Sequence, residues 1–261
     1  AQARALTILK ALRDGQHNRH EGLFQHFLDG TTAGLRTDSP EHVVSTIDSA
    51  LLFAGILTAG SYFGGEVRAL GDELVAAANW RAFVSGDEAK PHERGFISLG
   101  WAPHKSSPDA TQGRYLPYYW VDSGCEHRLV TFMGVLAPRE EFRVDPAMYY
   151  RLRRAPGDYQ GTGPMIWFPF SGALFVNVFS HCWINYAAMG VDDPAARGVG
   201  NRPRVDWWEN SRRLVALHRQ KARENPKGVP TLGEHAWGLS AMDVAKGYAV
   251  PGVYPNLLKL P

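Results

Sequence analysis

The chain has 261 residues, enough for one large domain or two small ones, and its 44% hydrophobic and 21% charged residues are typical of a soluble globular protein. A net charge of +2 without a long basic segment gives no basis for binding nucleic acid or anionic lipid. No apolar run is expected to span a bilayer, and two cysteines outside any CxxC pair do not make a structural zinc motif.

Apolar residues at helical spacing, with Gly and Pro at the ends of the periodic stretches, predict a largely helical chain. The expected helices span residues 1–13, 41–63, 66–84, 124–137, 145–153, 172–190 and 207–225, with one more helical turn near 240–247. An extended segment or hairpin is expected over 21–34, and the stretch 86–122 predicts long loops with a strand pair. No linker interrupts the chain, so we expect a single domain over residues 1–261.

Helices in consecutive pairs, joined by long loops rich in aromatic residues, can pack as a bundle, a solenoid or a closed toroid. The loops favour the toroid, because a ring gathers them over one face where a cleft can form. The chain has eight Trp, ten Tyr and twelve Phe. Core packing accounts for most of them, and tryptophans beside polar groups also suit stacking on the apolar faces of sugar rings.

Four expected helix starts share one pattern, an acid three residues after a Ser or an Asp. They are STID (45–48), SGCE (123–126), DWWE (206–209) and SAMD (240–243). This is the spacing of the capping box, which satisfies free N–H groups at a helix N-terminus, so capping is the first interpretation of each acid. Asp48 fits it least, since its helix is expected to begin near Ser39. Either that helix begins at Ser45, or Asp48 faces a polar cleft.

Glu126 has a second interpretation, as a catalytic carboxyl group. Gly124 and Cys125 are small and leave room for a ligand at the helix N-terminus, and Tyr119 and Trp120 lie just upstream. Glycoside hydrolysis requires two carboxyl groups beside the scissile bond, one to protonate the leaving oxygen and one to act as base or nucleophile. The residues alone leave capping and catalysis open for Glu126.

Seven segments, taken in order, carry a resemblance to a known family. They are GLFQHFLD (22–29), VSTIDSALLFAGILTAGSYF (44–63), ISLGWAP (97–103), SGCEHRLVTFMGVLAP (123–138), FSHCWINY (179–186), WWENSRRLVALHRQ (207–220) and GEHAWGLSAMD (233–243). Together they resemble the glucoamylase-like domain, and more specifically the clan of endo-β-1,2-glucanases and of the transglycosylase domain of cyclic β-1,2-glucan synthases. The resemblance implies an all-α fold, an (α/α)6 toroid, here expected to lack its C-terminal helices.

The same resemblance implies roles for the two acids. Glu126 falls on the general acid, and Asp48 falls on an acid that lines the catalytic subsites, where the family often carries Glu. The implied activity is that of an endo-acting hydrolase of a β-glucan, most simply β-1,2-glucan. A β-1,2-glucan transglycosylase and a non-catalytic glucan-binding protein are the alternatives.

Ten further side chains are candidates for stacking on sugar rings or binding sugar hydroxyls. They are Trp101, Tyr119, Trp120, His181, Trp183, Tyr186, Asn210, Glu234, His235 and Trp237. The structural alternatives are core packing for the aromatic residues, a buried hydrogen-bonded position for His181, a solvated helix face around Asn210 and an ordinary turn for residues 233–237. The expected partner is an oligo- or polysaccharide, without cofactor or metal. A periplasmic or secreted location is expected, with no signal peptide at the start of this chain, and a cytoplasmic location stays open.

Overall fold

The structure is a computed structural model of the chain, and it describes residues 1–39, 41–86, 90–103, 112–159, 163–167, 172–245, 247–253 and 258–259. The contacts divide the chain into two compact units. The first unit comprises Ala1–Val121 and Leu129–Met148, and the second comprises Asp122–Arg128 and Tyr149–Pro261.

The described residues are largely helical, as the sequence predicts. The helices are α1 (Gln2–Asp14), α2 (Thr46–Phe63), α3 (Gly65–Ala76), α4 (Cys125–Val135), α5 (Ala147–Arg151), α6 (Phe175–Val178), α7 (Tyr186–Met189) and α8 (Trp207–Glu224). Short 3-10 turns cover Trp80–Phe83, Glu140–Phe142, Phe179–Cys182 and Ala195–Arg197.

The strands are short and pair only in antiparallel fashion. They are β1 (Arg19–His20), β2 (Leu23–Phe24), β3 (Val44–Ser45), β4 (Gly100–Pro103), β5 (Gly113–Tyr115), β6 (Ala155–Gly157), β7 (Met165–Trp167), β8 (Met242–Val244), β9 (Gly247–Ala249), β10 (Gly252–Val253) and β11 (Leu258–Lys259). The order β3-β4-β5 forms one three-stranded sheet, and β1-β2, β6-β7, β8-β9 and β10-β11 form two-stranded ones.

In the first unit, helices α2 and α3 form a hairpin around the buried Phe53, Val67 and Leu74. The chain reverses at Gly64, whose φ of 65° lies in the left-handed region that favours glycine. Gly71 on α3 lets the helices approach, because a Cβ there would lie 2.8 Å from Ile56 Cγ2. Close packing of this pair fixes the direction in which α2 leaves the sheet.

Helix α2 is unusually apolar for a helix whose surface is only partly covered. Its 18 residues have a mean hydropathy of 1.3, and 39% of that window is buried. By length and composition alone it could cross a membrane. That is weak evidence, since core helices of soluble proteins meet the same criterion.

In the second unit, helix α8 supplies the core. Leu214 and Leu217 pack with Met165 of β7 and Val253 of β10, and all four side chains are buried. Asp206 caps α8 by accepting from the Glu209 N–H across 2.9 Å, as the DWWE spacing predicts.

Four of the predicted helical segments differ from the observed ones. The helix expected over 66–84 ends at Ala76, and a separate 3-10 turn covers Trp80–Phe83. The helix expected over 41–63 begins only at Thr46, because residues 44–45 pair with β4. The helix expected over 172–190 breaks into α6, a 3-10 turn and α7, since aromatic and β-branched residues fill it and Asn185 starts a new helix by capping Ala188 N–H. The turn expected near 240–247 is wrong: this segment is the β8–β9 hairpin.

Candidate active site

Asp48 lies in the first turn of α2, in the first unit. Ser45 is the N-cap residue, and its Oγ lies 3.3 Å from the Asp48 N–H, so the alternative that the helix begins at Ser45 is confirmed. Ser45 also donates its hydroxyl proton to Asp48 Oδ2 across 2.5 Å. The carboxylate is therefore held by the cap residue through one oxygen. Its other oxygen, Oδ1, accepts no hydrogen bond from the described residues.

Two of the predicted aromatic residues pack around this helix start. Trp101 in β4 pairs with Val44 and stacks on the His20 ring, with centroids 4.0 Å apart. Trp120 donates its Nε1–H to Thr46 Oγ1 across 2.7 Å. Both indoles are buried, so they hold the start of α2 in place and offer little surface to a sugar.

Tyr119 is more accessible than these two tryptophans. It is half-buried and forms a bridge with Ser98. The ammonium group of Lys90 lies 5.8 Å from its ring and 5.5 Å from the ring of Tyr118, which is largely exposed. Of the predicted aromatic residues in the first unit, Tyr119 is therefore the most accessible, and Tyr118 and a cation lie beside it.

Glu126 is the second residue of α4, and its helix is capped differently from the prediction. The Gly124 carbonyl accepts from Arg128 N–H at 3.0 Å, which makes Gly124 the N-cap position. Ser123 instead donates its hydroxyl proton to the Arg153 carbonyl across 2.8 Å. The SGCE spacing therefore places the helix start one residue earlier than the observed N-cap position.

The residues beside Glu126 are fixed by ionic and hydrogen bonds. Arg153 binds both carboxylate oxygens of Asp122, at 2.5 and 2.8 Å. The Asp122 N–H donates to His127 Nδ1 across 2.9 Å. Burial, followed by the charges of Arg153 and Arg128, lowers the pKa of His127 to about 3. His127 is thus a neutral imidazole with its proton on Nε2, and it anchors the first turn of α4.

Arg128 links this turn to the segment around residue 180. Its guanidinium is buried between the rings of Tyr186 and Trp207, 4.7 and 4.2 Å from their centroids. It also donates from Nη2 to Cys125 Sγ at 3.2 Å, and Ser180 Oγ donates to the same sulfur at 2.9 Å. The helix that carries Glu126 is therefore bound to the residues on either side of His181.

Tyr186 corrects one sequence expectation. The side chain is 1% exposed, and its hydroxyl lies 3.1 Å from Ser180 Oγ. The Arg128 guanidinium packs on its ring, and the His181 ring lies 4.5 Å from it, centroid to centroid. Tyr186 therefore supports the neighbouring side chains from inside the unit and does not present a face to a sugar.

His181 has a tautomer that its hydrogen bonds determine. Ser211 donates its only hydroxyl proton to the Asn177 carbonyl across 2.6 Å, so Ser211 Oγ accepts from His181 Nε2–H at 2.8 Å. Burial, followed by the charge of Arg128, lowers the pKa of His181 to about 4. The ring is consequently neutral near pH 7, and Nδ1 carries a lone pair that can accept from a sugar hydroxyl.

Exposed indoles lie in this part of the second unit. Trp183 is 40% exposed, as a stacking platform requires. Trp208, which sequence reasoning left out of the site, is 45% exposed and lies 5.7 Å from the His181 ring, centroid to centroid. The sequence did contain a signal for Trp208, namely the two adjacent tryptophans at the start of α8. Neighbouring residues of a helix point in different directions, and because Trp207 is buried, Trp208 points toward the surface.

Asn210 and the segment 233–237 have different surroundings from those expected. Asn210 is buried and bonds both the N–H and the carbonyl of Ile166, so its amide is used within the unit, beside a cavity of about 370 Å³. Glu234 is exposed and ion-paired with Arg223 and Arg219, and the bond to Arg223 lowers the pKa of its carboxyl. His235 and Trp237 are exposed beside it and remain candidate contacts.

Among the residues that the structure describes, no group of three His, Cys, Asp or Glu side chains is arranged to hold a metal ion. The side chains described above offer carboxyl groups, a neutral histidine and exposed indole rings.

Residues 117–257 of the sequence match the family model Glycoamylase, which is the model of the glucoamylase-like domain. This match covers more than half of the chain, and the chain belongs to that family. The matched region begins just before the Glu126 helix and includes α6, α7 and α8. Its relatives and structural neighbours include β-1,2-glucanases and sophorohydrolases of the same clan.

Particular relatives are similar at low identity. An exo β-1,2-glucooligosaccharide sophorohydrolase (non-reducing end) of Parabacteroides distasonis is 20% identical over 268 residues, covering 92% of this chain and 34% of that protein. An endo-β-1,2-glucanase of Chitinophaga pinensis, solved with sophorotriose and glucose, matches with a TM-score of 0.74 and 19% identity, over 98% of this chain and 58% of that one.

A β-1,2-glucanase structure from Parabacteroides distasonis gives the same TM-score of 0.74 at 18% identity, over 96% of this chain and 36% of that one. At such identity the structural likeness establishes a common fold. The chain spans about a third of the length of the sophorohydrolase and between a third and three fifths of the two solved glucanases.

Proposed function

We propose that the chain carries the glycan-binding and proton-donating part of a glycoside hydrolase that cleaves a β-glucan, most simply β-1,2-glucan. The observation that carries this proposal is the family match over residues 117–257, which includes the helix start with Glu126 and the segment with His181. Two relatives named for β-1,2-linked glucans, one exo-acting and one endo-acting, support the linkage. Endo action is the version that we propose first.

In this proposal Glu126 is the general acid. It occupies the first turn of a helix whose start is fixed by Arg128, His127 and Cys125, so the backbone that carries the carboxyl group has a defined position. The glycosidic oxygen accepts its proton as the bond to the anomeric carbon breaks and an oxocarbenium-like transition state forms. Asp48 is the second proposed carboxyl group, a hydrogen-bond acceptor for the glucan or for a water molecule.

The second unit supplies the proposed sugar contacts. A pyranose ring stacked on Trp208 would bring one hydroxyl within reach of His181 Nδ1, which is an acceptor in the tautomer fixed by Ser211. Trp183 and Trp237 are further exposed platforms. Stacking with directional hydroxyl contacts is how proteins bind such sugars, whose ring faces are apolar and whose edges are polar.

The proposal also includes the overall fold. We propose that the helix pairs are those of an (α/α)6 toroid, which the α2–α3 hairpin supports, since such hairpins are its repeating unit. A periplasmic or secreted location suits a protein that meets glucans outside the cell, and we propose it on that ground alone.

Reducing-end release tests the function. The chain is incubated with β-1,2-, β-1,3- and β-1,4-glucans, and the products are separated by size, so that hydrolysis, transglycosylation and binding without cleavage give different outcomes. Glu126→Gln should lower kcat by about 100-fold or more, the range for removing a general acid. Glu141→Gln, an exposed acid in a 3-10 turn, is the matched control. Activity of Glu126→Gln close to that of the wild type would overturn the assignment.

A further inference from the structure

His26, which is not among the predicted site residues, lies between two carboxylates in the first unit. His26 Nδ1 is 3.2 Å from Glu41 Oε1, and His26 Nε2 is 3.7 Å from Asp48 Oδ2. The three residues come from three places in the chain: the loop after β2, the segment before β3 and the first turn of α2. Their meeting is a property of the fold that sequence spacing does not reveal.

The backbone holds this histidine firmly. Its N–H donates to the Val43 carbonyl across 2.8 Å, beside the bridge that joins Gln25 to Val44. The Phe27 ring stacks on the imidazole with centroids 4.1 Å apart. Glu41 and Asp48 are the charged groups that face the ring, and about a third of the His26 side chain is exposed. The ring thus has one orientation, with one nitrogen toward each acid.

The number of N–H groups on the His26 ring determines how many of the two acids it can bind by a hydrogen bond. A neutral imidazole has one N–H and can donate to only one of two carboxylates, whereas the imidazolium ion can donate to both. Glu41 holds Nδ1 at 3.2 Å, and Nε2 faces Asp48 Oδ2 at 3.7 Å, which is beyond hydrogen-bond distance and within the distance of an ion pair. Ser45 donates to the same oxygen, Oδ2, and His26 Nε2 lies near it, so Oδ1 is left for a sugar hydroxyl or a water molecule.

We propose that His26, held by Glu41, is a positioning residue that orients the Asp48 carboxyl group as an acceptor toward the glucan. The inference rests on the proposed function for its consequence in catalysis, and on geometry alone for the contact itself. Glu41 has the same relation to His26 that a buried acid has to the histidine of other acid–histidine pairs: it fixes the ring orientation and the nitrogen that carries the proton.

The kinetic test compares variants at His26. His26→Ala should lower kcat by about 10- to 100-fold, the usual cost of removing a group that orients another. His26→Gln, whose amide can donate toward Asp48, should recover part of that loss, and Glu41→Gln should have a smaller effect than His26→Ala. The matched control is His92→Ala, since His92 Nε2 lies at the same 3.7 Å from a carboxylate, that of Glu93, in the same unit. Equal kcat values for His26→Ala, His92→Ala and wild type would overturn the proposal.

A second measurement does not depend on activity. A double-mutant cycle between His26→Ala and Asp48→Asn in urea unfolding should give a coupling energy between the two side chains. Absence of coupling overturns the contact itself. A coupling in a protein that releases no reducing ends from any glucan leaves the contact established and overturns the proposed function instead.

Discussion

The 2.8 Å bond from His181 Nε2 to Ser211 Oγ determines which nitrogen of His181 is open to a ligand. Ser211 has already given its proton to the Asn177 carbonyl, so it can only accept from the histidine. The other ring nitrogen, Nδ1, is therefore an acceptor, and the exposed Trp208 lies next to the ring. A neutral histidine beside an indole is a compact means of recognising one hydroxyl on one sugar ring.

Trp208→Ala should raise KM for the glucan by about 2- to 12-fold and change kcat little. The indole contributes stacking of about 0.5–1.5 kcal/mol, and each 1.4 kcal/mol corresponds to about tenfold in affinity. Steady-state kinetics on the glucan that is cleaved best provides the measurement. Tyr248→Ala, at a ring that is 69% exposed in the same unit, is the control for loss of a surface aromatic. A wild-type KM in Trp208→Ala would remove Trp208 from the site.

Ser45→Ala should destabilise the protein by about 1 kcal/mol, the usual cost of losing an N-cap. The substitution removes the acceptor for the Asp48 N–H and the donor to Asp48 Oδ2. Thermal unfolding measures this as a lower Tm. Thr58→Ala on the same helix is the matched control: its hydroxyl only bonds the Ala54 carbonyl within α2, so its Tm should stay close to that of the wild type. Equal Tm values for the two variants would show that Ser45 does not cap α2 in solution.

Local signals predicted those parts of the fold that local physics determines. Helices α1 and α8 have strong apolar periodicity and clear ends, and their predicted bounds differ from the observed ones by one residue at most. The Asp206 cap was predicted by the same kind of signal. The SGCE spacing was one residue out of register, since Gly124 is the N-cap position and Ser123 donates to the Arg153 carbonyl, 30 residues away. Spacing cannot anticipate a partner that only the tertiary fold brings near.

In the candidate site, too, the sequence predicted some features, while others depend on the tertiary fold. Exposed indoles such as Trp183 are suggested by composition, but burial decides whether a predicted residue can touch a ligand, and burial is a tertiary property. Tyr186 and Asn210 looked like binding residues from their neighbours in the sequence and are enclosed in the second unit. His26 was overlooked because its partners lie 15 and 22 residues further along the chain, without a repeating spacing to connect them.

Asp192→Asn should destabilise the protein by about 3–5 kcal/mol, because it leaves a buried cation without its counterion. Arg154 binds both Asp192 oxygens, at 2.8 and 2.7 Å, and the two side chains are 0% and 7% exposed. Trp207 Nε1–H donates to the same carboxylate at 3.0 Å. Urea unfolding measures the difference. Asp38→Asn, which breaks an exposed pair with Arg36, should leave the free energy of unfolding almost unchanged, because water screens that pair. Similar losses for the two variants would contradict a buried pair.

His218→Gln should reduce the sensitivity of the protein to acid. Burial lowers the pKa of His218 to about 4, and the bond from its Nε2 to the Gly172 carbonyl, 2.9 Å long, opposes this only in part. The unfolded chain, with an ordinary histidine pKa of about 6.5, therefore binds a proton that the folded chain does not between about pH 6.5 and 4. In that window the free energy of unfolding falls as the pH falls, by up to about 1.4 kcal/mol per unit for this one group, and above it the group has no effect.

The amide of the substituted glutamine can still donate to the Gly172 carbonyl but does not titrate, so the His218→Gln variant should lose less stability between pH 7.5 and 4.5 than the wild type. Urea unfolding at pH 7.5, 6.0, 5.0 and 4.5 provides the two profiles, and the values at pH 7.5 correct for any loss of packing. His127 and His181, with pKa values of about 3 and 4, should maintain the remaining slope. Parallel profiles for variant and wild type would show that His218 takes up its proton in the folded state as readily as in the unfolded one.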